Sequence, residues 1–64
     1  MNKRQATKVR DEMEAAGYQN PILMQATYTD GSRGWEAIAT NPATGQPLRV
    51  ATVEAWEKRK AVAA

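Results

Sequence analysis

Two short turn signatures constrain the fold of this 64-residue chain more than any other feature. The first, Asp30-Gly31, is a strong signal for a two-residue hairpin turn, because both central residues of that turn need positive φ. The second, "NPATGQ" at residues 41–46, combines a proline that presets φ for a type I turn with a glycine that suits a bulge. Each turn sets the pairing of its flanking strands, so together they predict a three-stranded antiparallel meander.

The two turns also predict which side chains share a face. A two-residue first turn would pair Tyr28 with Arg33, Ala26 with Trp35, Met24 with Ala37 and Ile22 with Ala39. If Asn41 lies opposite Gln46, the second turn pairs Ala39 with Leu48, Ala37 with Val50, Trp35 with Thr52 and Thr40 with Pro47. Both registers place their apolar sets on one face, and a slip of one residue would invert that pattern.

A helix is predicted on either side of the meander. Residues 3–17 carry apolar side chains at spacings of three and four, which is the pattern of a helix with one narrow apolar stripe. Thr52 is a suitable N-cap for a second, shorter helix that docks through Trp56. The predicted fold is α+β, in the order α-β-β-β-α, with both helices on one face of the sheet and residues 1–64 in one domain. The predicted core is Ile22, Met24, Tyr28, Trp35, Leu48, Val50, Met13, Val9 and Trp56.

Composition narrows the classes of site that the chain can carry. It contains neither cysteine nor histidine, which excludes disulfides and thiolate or imidazole metal sites. So small a domain buries only about 60% of its unfolded surface, and a partner subunit is one of the usual ways to stabilise such a domain. No apolar run approaches the roughly 18 residues of a membrane span, and the basic start lacks the apolar stretch of a signal peptide. We therefore expect a cytoplasmic protein without cofactors.

Catalytic chemistry is difficult to build from these residues. Ser32 is the only serine, it belongs to a predicted tight turn, and no histidine is present to activate it. "DGSRG" is shorter than a phosphate-binding loop and is typical of a hairpin end. The sequence predicts a non-enzymatic protein.

The predicted register leaves one sheet face turned away from the helices. There it places Leu23 opposite Ile38, and Ile38 opposite Arg49, so that an apolar spot lies among polar side chains. Such a face is either an ordinary solvated surface, a contact surface for another subunit or partner, or a surface that reads nucleic acid. The predicted partner or oligomer face consists of Leu23, Gln25, Glu36, Ile38, Arg49 and Ala51. The predicted contacts for phosphate or an acidic partner are Lys3, Arg4 and Arg33.

Two resemblances to nucleic-acid-binding families are present in the element order and in one short run. The element order is similar to that of the double-stranded RNA-binding domain, although that family carries a basic pair where this chain has Val53 and Glu54. The run "GWEAIATNPATG" is similar to the arm-type DNA-binding domains of phage integrases, which read the major groove with the sheet face away from the helix. Each resemblance covers an element order or about a dozen residues, and neither identifies a family.

Three functions remain open at this point. The first is a small non-catalytic binding or regulatory protein, of the inhibitor or accessory type found in phages and bacteria, that acts through protein contact as a homo-oligomer. The second is a DNA- or RNA-binding module that uses the sheet face and the basic start of the first helix, and the net charge of +2 neither requires nor forbids it. The third is capture of a small anionic ligand, such as a nucleotide, at a subunit interface.

Overall fold

One helix precedes and one helix follows a three-stranded antiparallel sheet, in the predicted order. The computed structural model describes residues 1–63 and consists of α1 (Lys3–Ala15), β1 (Gln19–Thr27), β2 (Arg33–Thr40), β3 (Pro47–Val50) and α2 (Val53–Ala63). The strand order in the sheet is β1-β2-β3. Both helices contact the sheet, and buried residues from both belong to one apolar cluster. The predicted fold class is confirmed.

Local hydrogen bonds set the ends of α1. The side chain of Asn2 accepts from the backbone N–H of Gln5, and the Gln5 side chain accepts from the backbone N–H of Asn2, which forms a reciprocal capping box. The helix ends at Ala15, two residues before the predicted end, because Gly17 adopts φ of 96° and leaves the helical region.

The second hairpin has the predicted register. The N–H of Asn41 donates to the Gln46 carbonyl at 2.8 Å, and Gly45 takes the left-handed conformation with φ of 73°. Ala37 pairs with Val50, Ala39 with Leu48 and Thr40 with Pro47, as predicted. The strand then ends at Val50, so the predicted pairing of Trp35 with Thr52 is wrong. The Trp35 N–H instead donates to the Met1 carbonyl at 2.7 Å.

The first hairpin differs from the prediction by one residue. Its loop has three residues rather than two: the Gly31 N–H donates to the Tyr28 carbonyl at 2.9 Å, and the Tyr28 N–H donates to the Ser32 carbonyl at 2.8 Å. The Asp30 carboxylate holds this longer loop, because it accepts from both the N–H and the hydroxyl of Ser32. Gly31, with φ of 86°, is the left-handed residue of a bulge that follows a type I turn.

This one-residue difference inverts the faces of β1. Leu23 pairs with Ala37 and Gln25 with Trp35, so both lie on the face that carries the helices. Ile22 and Met24, which the sequence places in the core, are 50% and 41% exposed on the opposite face. The predicted core position of Tyr28 is also wrong. So is its predicted pairing with Arg33, since Arg33 pairs with Thr27.

The core lies between α1, α2 and the inner sides of β2 and β3. Small side chains on β2 allow close approach of α1, and Trp56 and Met13 are the largest fully buried side chains. Val9, Val50 and Trp56 are core residues as predicted, whereas Leu48 packs against the core from a partly buried position and Trp35 is only half-buried. The buried apolar residues are Ala6, Val9, Met13, Ala37, Ala39, Val50 and Trp56.

Trp56 and Lys60 attach α2 to α1 through one carboxylate. The Trp56 indole N–H donates to Glu12 Oε1 at 3.2 Å, and Lys60 Nζ lies 2.6 Å from the same oxygen. Tyr18 meets the Trp56 ring edge-on, with the ring centroids 6.1 Å apart. Thr52 caps α2 as predicted, because its hydroxyl accepts from the Ala55 N–H at 3.1 Å. A helix of this length is marginal alone, so these contacts hold it in place.

Acid is expected to weaken this attachment. The hydrogen bond from Lys60, followed by that from Trp56, holds the pKa of Glu12 below its ordinary value of 4.5. Because the folded pKa is lower than the unfolded one, the carboxylate contributes its stability above pH 4.5 and loses it as the pH falls through the folded pKa. Urea unfolding of the wild type and of Glu12→Gln should give free energies whose difference shrinks in acid. A difference that stays constant with pH would contradict the assignment.

Candidate functional site

The fold leaves the sheet face that is turned away from both helices uncovered. On it, Ile22 pairs with Ile38, Met24 with Glu36 and Ala26 with Gly34, while Arg49 on β3 pairs with Ile38. Side chains of paired residues point to the same face of an antiparallel sheet. We call this surface the outer face; its residues are Ile22, Met24, Ala26, Tyr28, Gly34, Glu36, Ile38, Thr40, Pro47 and Arg49.

A buried carboxylate lies at the centre of the outer face. Glu36 is only 2% exposed although it stands on the side of the sheet that the helices leave open. The Tyr28 hydroxyl donates to its Oε2 at 3.1 Å, and Arg49 Nε donates to its Oε1. Both carboxylate oxygens are therefore bonded, which meets the requirement for burying a charge. Burial, together with the bond to Glu36, raises the pKa of Tyr28 above its ordinary value.

Gly34 leaves room for the Tyr28 ring beside this carboxylate. A Cβ at position 34 would lie 3.2 Å from Tyr28 Cε2 and 3.3 Å from the Met1 carbonyl oxygen. The absent side chain thus lets the ring lie against the strand and brings its hydroxyl to Glu36. The three-residue loop is equally necessary, because a two-residue turn would place Tyr28 on the other face.

Apolar side chains surround this polar centre. Ile22 and Met24 are among the exposed large hydrophobic residues, and the half-buried Ile38 lies across from Ile22. Arg49, whose side chain is 60% exposed, is neutralised by Glu36. The outer face is consequently apolar along β1 and close to neutral at its centre. Such a surface suits a partner that removes apolar area from water.

The structure brings together three of the six residues predicted for the partner face. Glu36, Ile38 and Arg49 lie on the outer face, whereas the placement of Leu23 and Gln25 there is wrong because β1 is inverted. Ala51 follows β3, is half-buried, and accepts a hydrogen bond from the N-terminal amine of Met1 at 3.3 Å. The residues that sequence reasoning missed are Ile22, Met24 and Tyr28. Their only signal is "DGS", in which an Asp two residues before a Ser favours the longer loop.

The predicted phosphate contacts lie elsewhere. Lys3 Nζ is 5.2 Å from the Trp35 ring centroid, and Arg33, two residues before Trp35, belongs to the helix-bearing face. Arg4 is exposed on α1. These cations and Arg49 therefore belong to opposite sides of the sheet.

The part of the chain that the structure describes offers few other sites. Among residues 1–63, no three acidic side chains are grouped so that they could hold a metal ion, and neither helix is long and apolar enough to cross a membrane. A groove of about 480 Å³ lies on the helix side, where Tyr18, Pro42 and Trp56 meet Arg59 and Lys60. Lys60 is already bonded to Glu12 and Glu57.

Comparison with protein-family models, with curated proteins and with solved structures finds no match for this chain. Its function has to be inferred from its own surfaces.

Proposed function

We propose that the chain is a small non-catalytic binding protein that acts through protein contact as a homo-oligomer, with the outer face as its contact surface. The observation that carries the proposal is the exposure of Ile22 and Met24, at 50% and 41%, on a face that neither helix covers. Removing such side chains from water gains roughly 25 cal/mol per Å² of apolar area. Small inhibitor and accessory proteins are similar to this chain in size, and size is the only feature that links the proposal to that class.

The charge distribution supports a protein partner over nucleic acid. Nucleic-acid binding depends on cations that neutralise phosphates. On the outer face, Arg49 is paired with the buried Glu36, and the cations at Lys3 and Arg33 belong to the opposite side. A neutral surface with its charge pair already formed can meet another protein without leaving a charge unpaired. A labelled duplex titrated at low salt is therefore expected to show no change in anisotropy at tens of micromolar protein.

If the chain captured a small anionic ligand, such as a nucleotide, the groove at Tyr18 and Trp56 would be the binding site. Its cations are Arg59 and Lys60, and two carboxylates already neutralise Lys60. Native mass spectrometry of the purified protein detects a retained ligand and measures the size of the assembly in one experiment. We expect an assembly without a ligand.

Lysine at Met24 is expected to weaken the assembly without unfolding the chain. Met24 is 41% exposed, so its replacement leaves the core intact while it places a charge in the apolar part of the contact surface. Val53→Lys is the matched control, because Val53 is 37% exposed but belongs to α2. Sedimentation velocity over a concentration series should show a smaller average assembly for Met24→Lys alone. Equal behaviour of both variants would refute the outer face as the contact surface.

A further inference from the structure

The free edge of β1 lacks the features that usually prevent strands from pairing with other chains. Natural edge strands are protected by proline, charged side chains, bulges or short length. In β1 the irregularity and Pro21 are confined to its beginning, and the following run, "ILMQAT" at residues 22–27, contains neither charge nor proline. Every residue of β1 is exposed or half-buried.

The hydrogen-bonding direction along β1 follows from the first hairpin. Both backbone groups of Tyr28 bond within the hairpin, toward β2. Bonding direction alternates along an antiparallel strand, so the N–H and C=O groups of Leu23, Gln25 and Thr27 point away from β2. The bond from the Trp35 N–H to Met1, on the far side of β2, agrees with the same alternation.

The other edge of the sheet, formed by β3, is protected. β1 is therefore the edge that is open to pairing with another chain. β3 has only four residues, and the alternation from the Asn41–Gln46 bond turns the backbone groups of Pro47 and Arg49 outward. Pro47 has no N–H to donate, and Arg49 carries a charge. Of the two sheet edges within residues 1–63, the β1 edge alone offers three alternate outward residues that each have a free backbone donor and acceptor.

We infer that the β1 edge pairs with the β1 edge of a second copy, antiparallel about a two-fold axis at Gln25, to form one continuous six-stranded sheet. In this register Gln25 faces Gln25 of the second copy, and Leu23 faces Thr27. All three outward residues pair, no like charges meet, and Pro21 stays outside the three pairs. An isologous contact of this kind requires a surface that complements itself, as this uncharged segment does.

This inference rests on the homo-oligomer of the proposed function and adds a second contact between its copies. The extended sheet places Ile22 and Met24 of both copies on one outer face. It thereby joins the two exposed apolar stripes into a single larger surface. The edge contact and the outer-face contact are separate, so each can fail without the other.

Single cysteines test the edge directly, because the chain has no cysteine of its own and any disulfide must join two copies. Two Gln25→Cys residues would face each other with Cα atoms about 5.5 Å apart, inside the range of about 4.4–6.8 Å for a disulfide. Thr27→Cys is the matched control: Thr27 is also exposed, but its two copies would lie roughly 14 Å apart along the strands. We expect a several-fold higher yield of disulfide-linked dimer from Gln25→Cys under mild oxidation.

Amide hydrogen exchange of the wild type provides a second readout that needs no substitution. The amides of Leu23, Gln25 and Thr27 should be protected at high protein concentration and exchange rapidly after dilution, while those of Met24 and Ala26 stay protected in both. Suppose that the wild type sediments as an oligomer. The edge contact alone would then be overturned if Gln25→Cys gave no more disulfide-linked dimer than Thr27→Cys, or if amide exchange did not depend on protein concentration. A wild type that stays monomeric at high micromolar concentration would overturn the homo-oligomer as well.

Discussion

Replacing Trp56 with alanine is expected to unfold most of the chain at room temperature. Trp56 is 2% exposed and belongs to the core cluster with Val9 and Met13. Deleting a buried tryptophan side chain costs about 3–5 kcal/mol, and the core of so short a chain rarely supplies more than about 3–5 kcal/mol. The substitution also removes the indole donor from Glu12. The loss should therefore exceed that of any surface substitution.

Far-UV circular dichroism during urea unfolding measures this effect. Trp56→Phe is the matched control, because phenylalanine keeps most of the apolar contact and loses the hydrogen bond to Glu12. We expect a small shift of the urea midpoint for phenylalanine and no cooperative transition for alanine. If alanine leaves the midpoint unchanged, α2 does not depend on Trp56 for its attachment.

Replacing Arg49 with methionine is expected to destabilise the fold even though the Arg49 side chain is 60% exposed. The substitution leaves the carboxylate of Glu36 buried with only the Tyr28 hydroxyl as a donor. Breaking a fully buried ion pair costs about 3–5 kcal/mol. We expect on the order of 2 kcal/mol here, since the solvent that surrounds Arg49 also reaches part of the pair.

A double-mutant cycle separates the cost of an unpaired charge from a general packing defect. In Glu36→Leu/Arg49→Met the buried charge and its partner are both absent, so most of the lost stability should return. Urea unfolding free energies of the wild type, the two single variants and the double variant complete the cycle. A double variant no more stable than Arg49→Met would show that the carboxylate is not the source of the cost.

Local signals predicted most elements and one of the two registers. The first helix and the Thr52 cap depend on neighbours a few residues apart. The cap is confirmed, and the helix forms over Lys3–Ala15 with Ala6, Val9 and Met13 buried, although the predicted span reached residue 17. The second register is confirmed because Pro42 and Gly45 suit one loop length. The first register is wrong because Asp30-Gly31 fits both a two-residue turn and a three-residue loop with a bulge. The Asp30 carboxylate favours the longer loop, because it accepts hydrogen bonds from both the backbone N–H and the hydroxyl of Ser32.

The candidate site was predicted only in part for the same reason. Glu36, Ile38 and Arg49 belong to the strands of the correctly predicted hairpin, so their common face followed from the sequence. Apolar residues alternate poorly on β1, where Ile22, Leu23 and Met24 are consecutive, and hydrophobic pattern alone does not choose between its faces.

The sequence by itself determined the order of the elements, the antiparallel meander and the inward face of β2 and β3, because these follow from turn chemistry and short-range spacing. Only the tertiary structure decided that Leu23 lies beneath the helices while Ile22 and Met24 face outward. It alone showed that Tyr28, Glu36 and Arg49 meet. The physical reason is that one residue of loop length reverses every side chain of a strand, and packing against the helices distinguishes two loops that local preferences leave nearly equal.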